Sequence, residues 1–157
     1  MAVFSADEVY QIAMEMEQTG QVFYEALAAG SARSDVAALC RRLAAQEVEH
    51  YNRFSRLRAA LAARPASHAL DEEEMDFAQA LVTDRMIPNP QEARRIAAEG
   101  SVGAALDMAI NLEKDSVLFY SEILQAVDPQ DATAIREIVQ QEKLHAQELM
   151  IARRNLH

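Results

Sequence analysis

Leu43-Ala44-Ala45-Gln46-Glu47-Val48-Glu49-His50 and Ile138-Val139-Gln140-Gln141-Glu142-Lys143-Leu144-His145 are two copies of one pattern. Each places a glutamate and a histidine three positions apart, so both side chains leave one face of a helix. A single Glu-x-x-His turn is ordinarily just a solvated helix face. A second turn at the matching place in the chain changes that reading. Upstream of each turn lies another matched stretch. Met16-Glu17-Gln18-Thr19-Gly20-Gln21-Val22-Phe23-Tyr24 aligns with Leu112-Glu113-Lys114-Asp115-Ser116-Val117-Leu118-Phe119-Tyr120. One helical hairpin therefore occurs twice. Two such hairpins packed face to face make a bundle with an approximate two-fold axis, where equivalent residues meet.

The punctuation around these stretches supports that layout. Ser5-Ala6-Asp7-Glu8 reads as a capping box, opening a helix from about residue 6 to Ala29 that stops at Gly30. Ser34-Asp35 restarts the chain, and a second helix should reach about Ala63, ahead of Pro65. A third should run from near Ser101 to about Ala126. Asp128-Pro129, a cap followed by proline at the first helical position, opens the fourth, which continues to about Arg154. The links within each pair are short, which makes the pairs antiparallel. Residues 64–100 form a long crossover. Within it Asp71 to Asp84 resembles a short helix, Ile87-Pro88-Asn89-Pro90 breaks it, and a brief helix follows to about Ala98. The expected architecture is all-α: a single domain, 1–157, of two antiparallel hairpins joined by a long crossover with short extra helices. That connectivity is expected of the ferritin-like class of four-helix bundle.

Composition agrees and removes several function classes. The chain has 157 residues, half of them hydrophobic, with only 4 glycines and 4 prolines. Its net charge of −10 argues against a nucleic-acid partner, which needs a basic footprint. The one cysteine, Cys40, rules out an internal disulfide and a Cys-x-x-Cys metal site. Its apolar setting reads as a buried helical thiol. The first residues lack a basic, apolar leader pattern. No stretch nears the ~20 apolar residues of a membrane span. The expectation is a soluble, cytoplasmic protein.

Glu17 and Glu113 complete the chemistry. Ile12, Ala13, Met16, Phe23 and Leu27 surround the first in helical spacing. Met108, Ala109, Leu112, Leu118 and Phe119 surround the second. Neither has lysine or arginine one turn away on its own helix. A carboxylate buried without a partner costs several kcal/mol, so it is neutralised, paired or metal-bound. Six residues follow as candidate ligands of two metal ions: Glu17, Glu47, His50, Glu113, Glu142 and His145. Four carboxylates balance two divalent ions, and two neutral imidazoles add nitrogen donors. Mixed oxygen and nitrogen donors suit iron or manganese, with zinc as a substitute. Six residues cannot saturate two metals unless carboxylates bridge. Glu47 and Glu142 are expected to bridge, with Glu17 and Glu113 terminal. Gly20 and Ser116, three positions after the outer glutamates, leave room either for an exogenous ligand or for helix packing. Tyr24 and Tyr120, seven positions after, suit either a hydrogen bond to a ligand carboxylate or core packing. His68 and His157 lack a matched glutamate and read as surface residues. Glu72-Glu73-Glu74 reads as a solvated run at a helix start.

At these residues the chain resembles the rubrerythrin-like branch of the ferritin-like di-iron carboxylate superfamily. The resemblance rests on Met16–Tyr24, Glu47–His50, Leu112–Tyr120 and Glu142–His145, and it spans nearly the whole chain. It implies a di-iron oxidoreductase that reacts with peroxide or dioxygen, by peroxide reduction or ferrous iron oxidation. Two departures matter. Rubrerythrins usually carry a further glutamate one turn after the third-helix ligand, where this chain has Ser116. They usually also carry a rubredoxin-like domain, and no cysteines follow the bundle here. Electrons for turnover would then come from a separate electron-transfer protein, or the protein does not turn over as a peroxidase. Two other readings stand beside this one: an iron-binding or storage protein, and a helical module with a structural metal site and no catalysis. A homodimer is expected, because long amphipathic helices leave surface to cover.

Overall fold

The computed structural model describes residues 5–64, 90–125 and 127–156, which form five helices and no strand. They are α1 (Ala6–Gly30), α2 (Ser34–Leu61), α3 (Pro90–Glu99), α4 (Val102–Ile123) and α5 (Pro129–Arg154). The predicted helix at 71–84, the acidic run at 72–74, and His68 and His157 lie outside the described residues.

Local chemistry sets the helix starts. Ser5 Oγ accepts the Glu8 amide at 3.3 Å, and the Glu8 carboxylate accepts the Ser5 amide at 2.7 Å. That reciprocal pair satisfies donors left open by the first turn. Ser101 Oγ accepts the Ala104 amide at 3.2 Å, and Asp128 accepts the Gln130 amide at 3.0 Å ahead of Pro129. The ends differ slightly from expectation. Gly30 belongs to α1, and Ser31 closes it with extended backbone and an amide bonded to the Leu27 carbonyl. A left-handed glycine is therefore not the stop signal. Helix α2 ends at Leu61 and α4 at Ile123, both slightly earlier than predicted.

Helices α1 and α2 pack as one antiparallel pair, and α4 and α5 as the other. Two apolar clusters fill the interior, one towards each end of the bundle. One joins Val9, Tyr10, Phe54, Phe119, Ile135 and Ile138. The other joins Phe23, Leu27, Val36, Leu43, Leu106 and Leu149. Along each of the four long helices, the six candidate residues fall between these clusters. Burial of apolar surface at ~25 cal/mol per Å² on both sides thus holds a polar layer in place. The clusters also explain the crossover. The end of α2 lies at the Val9 end, and the start of α4 lies at the Leu27 end, so the crossover joins opposite ends of the bundle. Its last part, α3, packs on α1, with Ala97 buried in the Leu27 cluster.

A polar tie closes the Val9 end. Asp131, 2% exposed, takes two hydrogen bonds from Arg64 at 2.7 and 2.9 Å and one from the Tyr10 hydroxyl at 2.8 Å. It links α1, the end of α2 and the start of α5.

Candidate metal centre

All six predicted side chains reach the polar layer, and none is more than 4% exposed. Glu17 comes from α1, Glu47 and His50 from α2, Glu113 from α4, and Glu142 and His145 from α5. They form two overlapping groups. Glu17, Glu47, His50 and Glu142 each offer one donor atom within 4.8 Å of the others, and so do Glu47, Glu113, Glu142 and His145. Glu47 and Glu142 belong to both. Each imidazole turns Nδ1 to the carboxylates. His50 Nδ1 is 2.9 Å from Glu142 Oε1 and 3.4 Å from Glu17 Oε2. His145 Nδ1 is 3.0 Å from Glu142 Oε2, 3.5 Å from Glu47 Oε1 and 3.7 Å from Glu113 Oε1. The two rings stack, 5.6 Å apart and 16° from parallel.

Many of these atoms have no hydrogen bond. Glu17 Oε2, Glu47 Oε1, Glu142 Oε2 and both His145 nitrogens are buried and make no well-directed hydrogen bond, although His145 Nδ1 and His50 Nδ1 lie near the carboxylates. Buried polar atoms are otherwise nearly always satisfied, so a cluster of them marks a place for an ion or water. Among the described residues, no lysine or arginine pairs with these carboxylates. The arginines engage Glu148, Glu137, Asp7, Asp131 and Asp107 elsewhere.

The electrostatics follow from crowding acids in a dry layer. Burial pushes the Glu47 carboxyl well above the ordinary range, and repulsion from Glu142, Glu17 and Glu113 adds to it. Burial and repulsion from Glu113 and Glu17 raise Glu142 to about 8. Burial would lower the imidazoles, but the carboxylates around them prevail. Glu142 and Glu17 bring His50 to about 11, and Glu113 and Glu142 bring His145 to about 9. For Glu113, burial acts upward, yet His145, Glu142 and Tyr24 hold the carboxyl below its usual value. The folded chain without metal therefore holds protons where cations would sit.

The tyrosines do more than pack. Tyr24 donates to Glu113 and Tyr120 donates to Glu17. Each bond crosses from one hairpin to the other, so the pairing is visible only in three dimensions. Both phenols stay protonated, because burial and then the adjacent carboxylate Glu113 or Glu17 raise them well above the usual value. Gly20 also has a steric reason: a Cβ there would lie 2.8 Å from Glu47 Oε2. A cavity of about 20 Å³ opens beside it, lined by Gly20, Tyr24, Glu47, Glu113 and Ser116 among others. It has room for one water-sized molecule. One expected neighbour is corrected: Leu118 is 43% exposed and faces away from Glu113.

No family model and no curated protein matches the chain. A solved structure from Thermotoga maritima, provisionally described as a ferritin-like diiron-carboxylate protein, aligns with a TM-score of 0.72. The match covers 98% of this chain and 97% of that one, at 22% sequence identity. The chain has the ferritin-like fold. In this ferritin-like bundle the hairpin repeat is real structure, since both halves deliver the same residue types to one layer. Sequence reasoning missed Gln141, whose Oε1 lies 2.6 Å from His50 Nε2. The available signal was its place immediately before Glu142, matched by Gln46 before Glu47. No helix among the described residues is long and apolar enough to cross a membrane.

Proposed function

We propose that the chain is a di-iron carboxylate protein, in which Glu17, Glu47, His50, Glu113, Glu142 and His145 hold two metal ions. The observation that carries this is the overlap of two four-residue groups through Glu47 and Glu142. A shared carboxylate pair is what two adjacent cations require. The donor set fits: buried carboxylate and imidazole atoms without hydrogen bonds, four negative charges for two divalent ions, and, among the described residues, no lysine or arginine competing. Oxygen and nitrogen donors of this kind suit iron, with manganese or zinc as substitutes. Glu47 and Glu142 are assigned as bridging, Glu17 and Glu113 as terminal.

The activity we assign is that of an oxidoreductase acting on peroxide or dioxygen, as the rubrerythrin-like resemblance implies. Bound iron would supply one-electron redox chemistry and open coordination positions. The chain itself does the rest. Its apolar clusters keep bulk water from the layer. Tyr24 and Tyr120 hold Glu113 and Glu17 in place by hydrogen bonds. The cavity beside Gly20 and Ser116 gives a water-sized molecule access to Glu47 and Glu113. An organic substrate would not fit there. With Ser116 in place of a further glutamate, the chain offers no fifth carboxylate at that turn. A separate electron-transfer protein as reductant, a homodimer and a cytoplasmic setting belong to the same proposal.

The test is to load the protein anaerobically with ferrous iron, add hydrogen peroxide, and follow visible absorption. Rapid oxidation, reversed by a small reduced electron-transfer protein, is expected. A ferrous centre unchanged by peroxide would overturn the assigned activity. Iron uptake far beyond two ions per chain would favour storage instead.

A further inference from the structure

Gln141 and Gln46 occupy the same place in the two hairpins, one residue before the shared glutamates Glu142 and Glu47. Each sits on the helix opposite the histidine of the other hairpin. In one half the contact is made: Gln141 Oε1 lies 2.6 Å from His50 Nε2. In the other half the two corresponding atoms, Gln46 Oε1 and His145 Nε2, are both buried, and neither has a hydrogen-bond partner. The approximate two-fold axis therefore relates one completed pair to one pair of unsatisfied, complementary atoms.

We propose that Gln141 and Gln46 are positioning residues for the two imidazoles, each accepting the Nε2–H of the histidine from the opposite hairpin. This rests on the reading that the cluster holds metal ions. A neutral imidazole that gives one nitrogen to a cation must keep its proton on the other. Both rings turn Nδ1 to the carboxylates, so the proton must stay on Nε2. That N–H is buried and needs an acceptor. Gln141 supplies it for His50. Once a cation engages His145 Nδ1, Gln46 Oε1 is the unbonded acceptor that matches it. An amide suits the place better than a carboxylate. It fixes the tautomer without adding a fifth negative charge to a layer whose four carboxylates already balance two divalent ions.

The experiment uses the full chain loaded with zinc(II), with histidine ring nitrogens labelled with nitrogen-15. Long-range proton–nitrogen spectra should show, for both rings, a metal-bound Nδ1 and a protonated Nε2 with slow solvent exchange. In Gln141→Leu the His50 Nε2–H should exchange faster, and chelator competition should show zinc(II) bound roughly 10–100-fold more weakly. The His145 signals should be little changed. Gln46→Leu should give the mirror result. Gln141→Glu and Gln46→Glu, which put an acceptor back at the cost of an added negative charge, should restore exchange protection, which a purely structural role would not require. Gln141→Asn and Gln46→Asn, which withdraw the acceptor but keep an amide, should behave as the leucine variants do. They guard against loss of folding by an apolar side chain. Coordination through Nε2, or wild-type affinity and exchange in the leucine and asparagine variants, would overturn the proposal. A wild-type chain that takes up no zinc(II) would overturn the metal reading beneath it, a result distinct from either of those.

Discussion

Tyr24, on α1, donates its hydroxyl hydrogen to the carboxylate of Glu113, on α4. The bond joins the two hairpins at the level of the candidate metal centre. Its partner across the approximate axis, Tyr120 to Glu17, does the same in reverse. A hydrogen bond to a charged group contributes about 1.5–3 kcal/mol, and a partner that orients a metal ligand is worth roughly 10–100-fold in affinity. Tyr24→Phe should therefore weaken metal binding by about that factor while leaving the helix content intact. Competition with a chelator, alongside circular dichroism, checks both halves of the statement. Unchanged affinity would reduce Tyr24 to core packing.

Gly20 and Gly30 make a matched pair of tests. A Cβ at Gly20 would press on Glu47 Oε2 at 2.8 Å, whereas one at Gly30 would meet only the Ala97 carbonyl at 4.0 Å. Gly20→Ala should displace Glu47 and lower metal affinity by roughly tenfold or more, as loss of one well-placed ligand does. Gly30→Ala should leave metal binding alone and stabilise the fold slightly, by less than the ~1 kcal/mol of an interior helix position, since Gly30 is the last residue of α1. Titration and thermal unfolding of the two variants separate these effects. Equal behaviour of the two would remove the steric account of Gly20.

The cluster was largely legible in the sequence, for a physical reason. A helix presents residues three and four apart on one face, so Glu47 with His50 and Glu142 with His145 could be read locally. The duplicated hairpin then told that the two faces meet. What crosses between helices could not be read that way. The Tyr24–Glu113 bond and the Gln141–His50 contact depend on helix rotation, which no local spacing encodes. Leu118 shows the same limit: it follows Glu113 among apolar residues, yet its helical angle turns it to solvent. Helix ends were read to within a few residues, because Ser5, Ser101 and Asp128 act locally as caps.

Without metal, stability should fall as pH rises. His50 and His145 titrate at about 11 and about 9 in the fold, against 6.5 when unperturbed, and Glu142 at about 8 against 4.5. Glu47 is raised as well. Within the cluster Glu113 moves the other way, and the lowered Asp7 and Asp35 carboxyls outside it act below this pH range. The folded state thus binds more protons than the unfolded state, so ∂ΔG/∂pH is negative. The loss should begin near pH 5 as Glu142 ionises in the unfolded chain, and continue to about pH 11. Metal ions replace those protons, so loading should flatten the dependence, and affinity should rise with pH. Urea midpoints of metal-free and loaded protein across pH 5–10 give the check. A metal-free midpoint that climbs over this range would refute the electrostatic account.

Cys40 should be inert in the native fold. It is fully buried in the Leu27 cluster, and burial pushes its thiol up to about 11. A thiol-specific reagent should label the folded chain slowly and the denatured chain at once. Fast labelling at neutral pH would show that the cluster opens.

Tyr10 tests the far end of the bundle. Its hydroxyl donates to the buried Asp131 carboxylate at 2.8 Å. Tyr10→Phe removes that donor and should cost about 1–3 kcal/mol in unfolding free energy. Metal stoichiometry should stay the same, because the tie lies outside the polar layer.

Six residues are proposed to make one two-metal centre, with Glu47 and Glu142 shared. Anaerobic titration of the metal-free chain with ferrous iron, followed by equilibrium dialysis, measures it directly. Two tightly held ions per chain are predicted for the natural sequence, and loss of both on Glu142→Ala. One ion or none in the natural sequence, or two ions still held by Glu142→Ala, would contradict it.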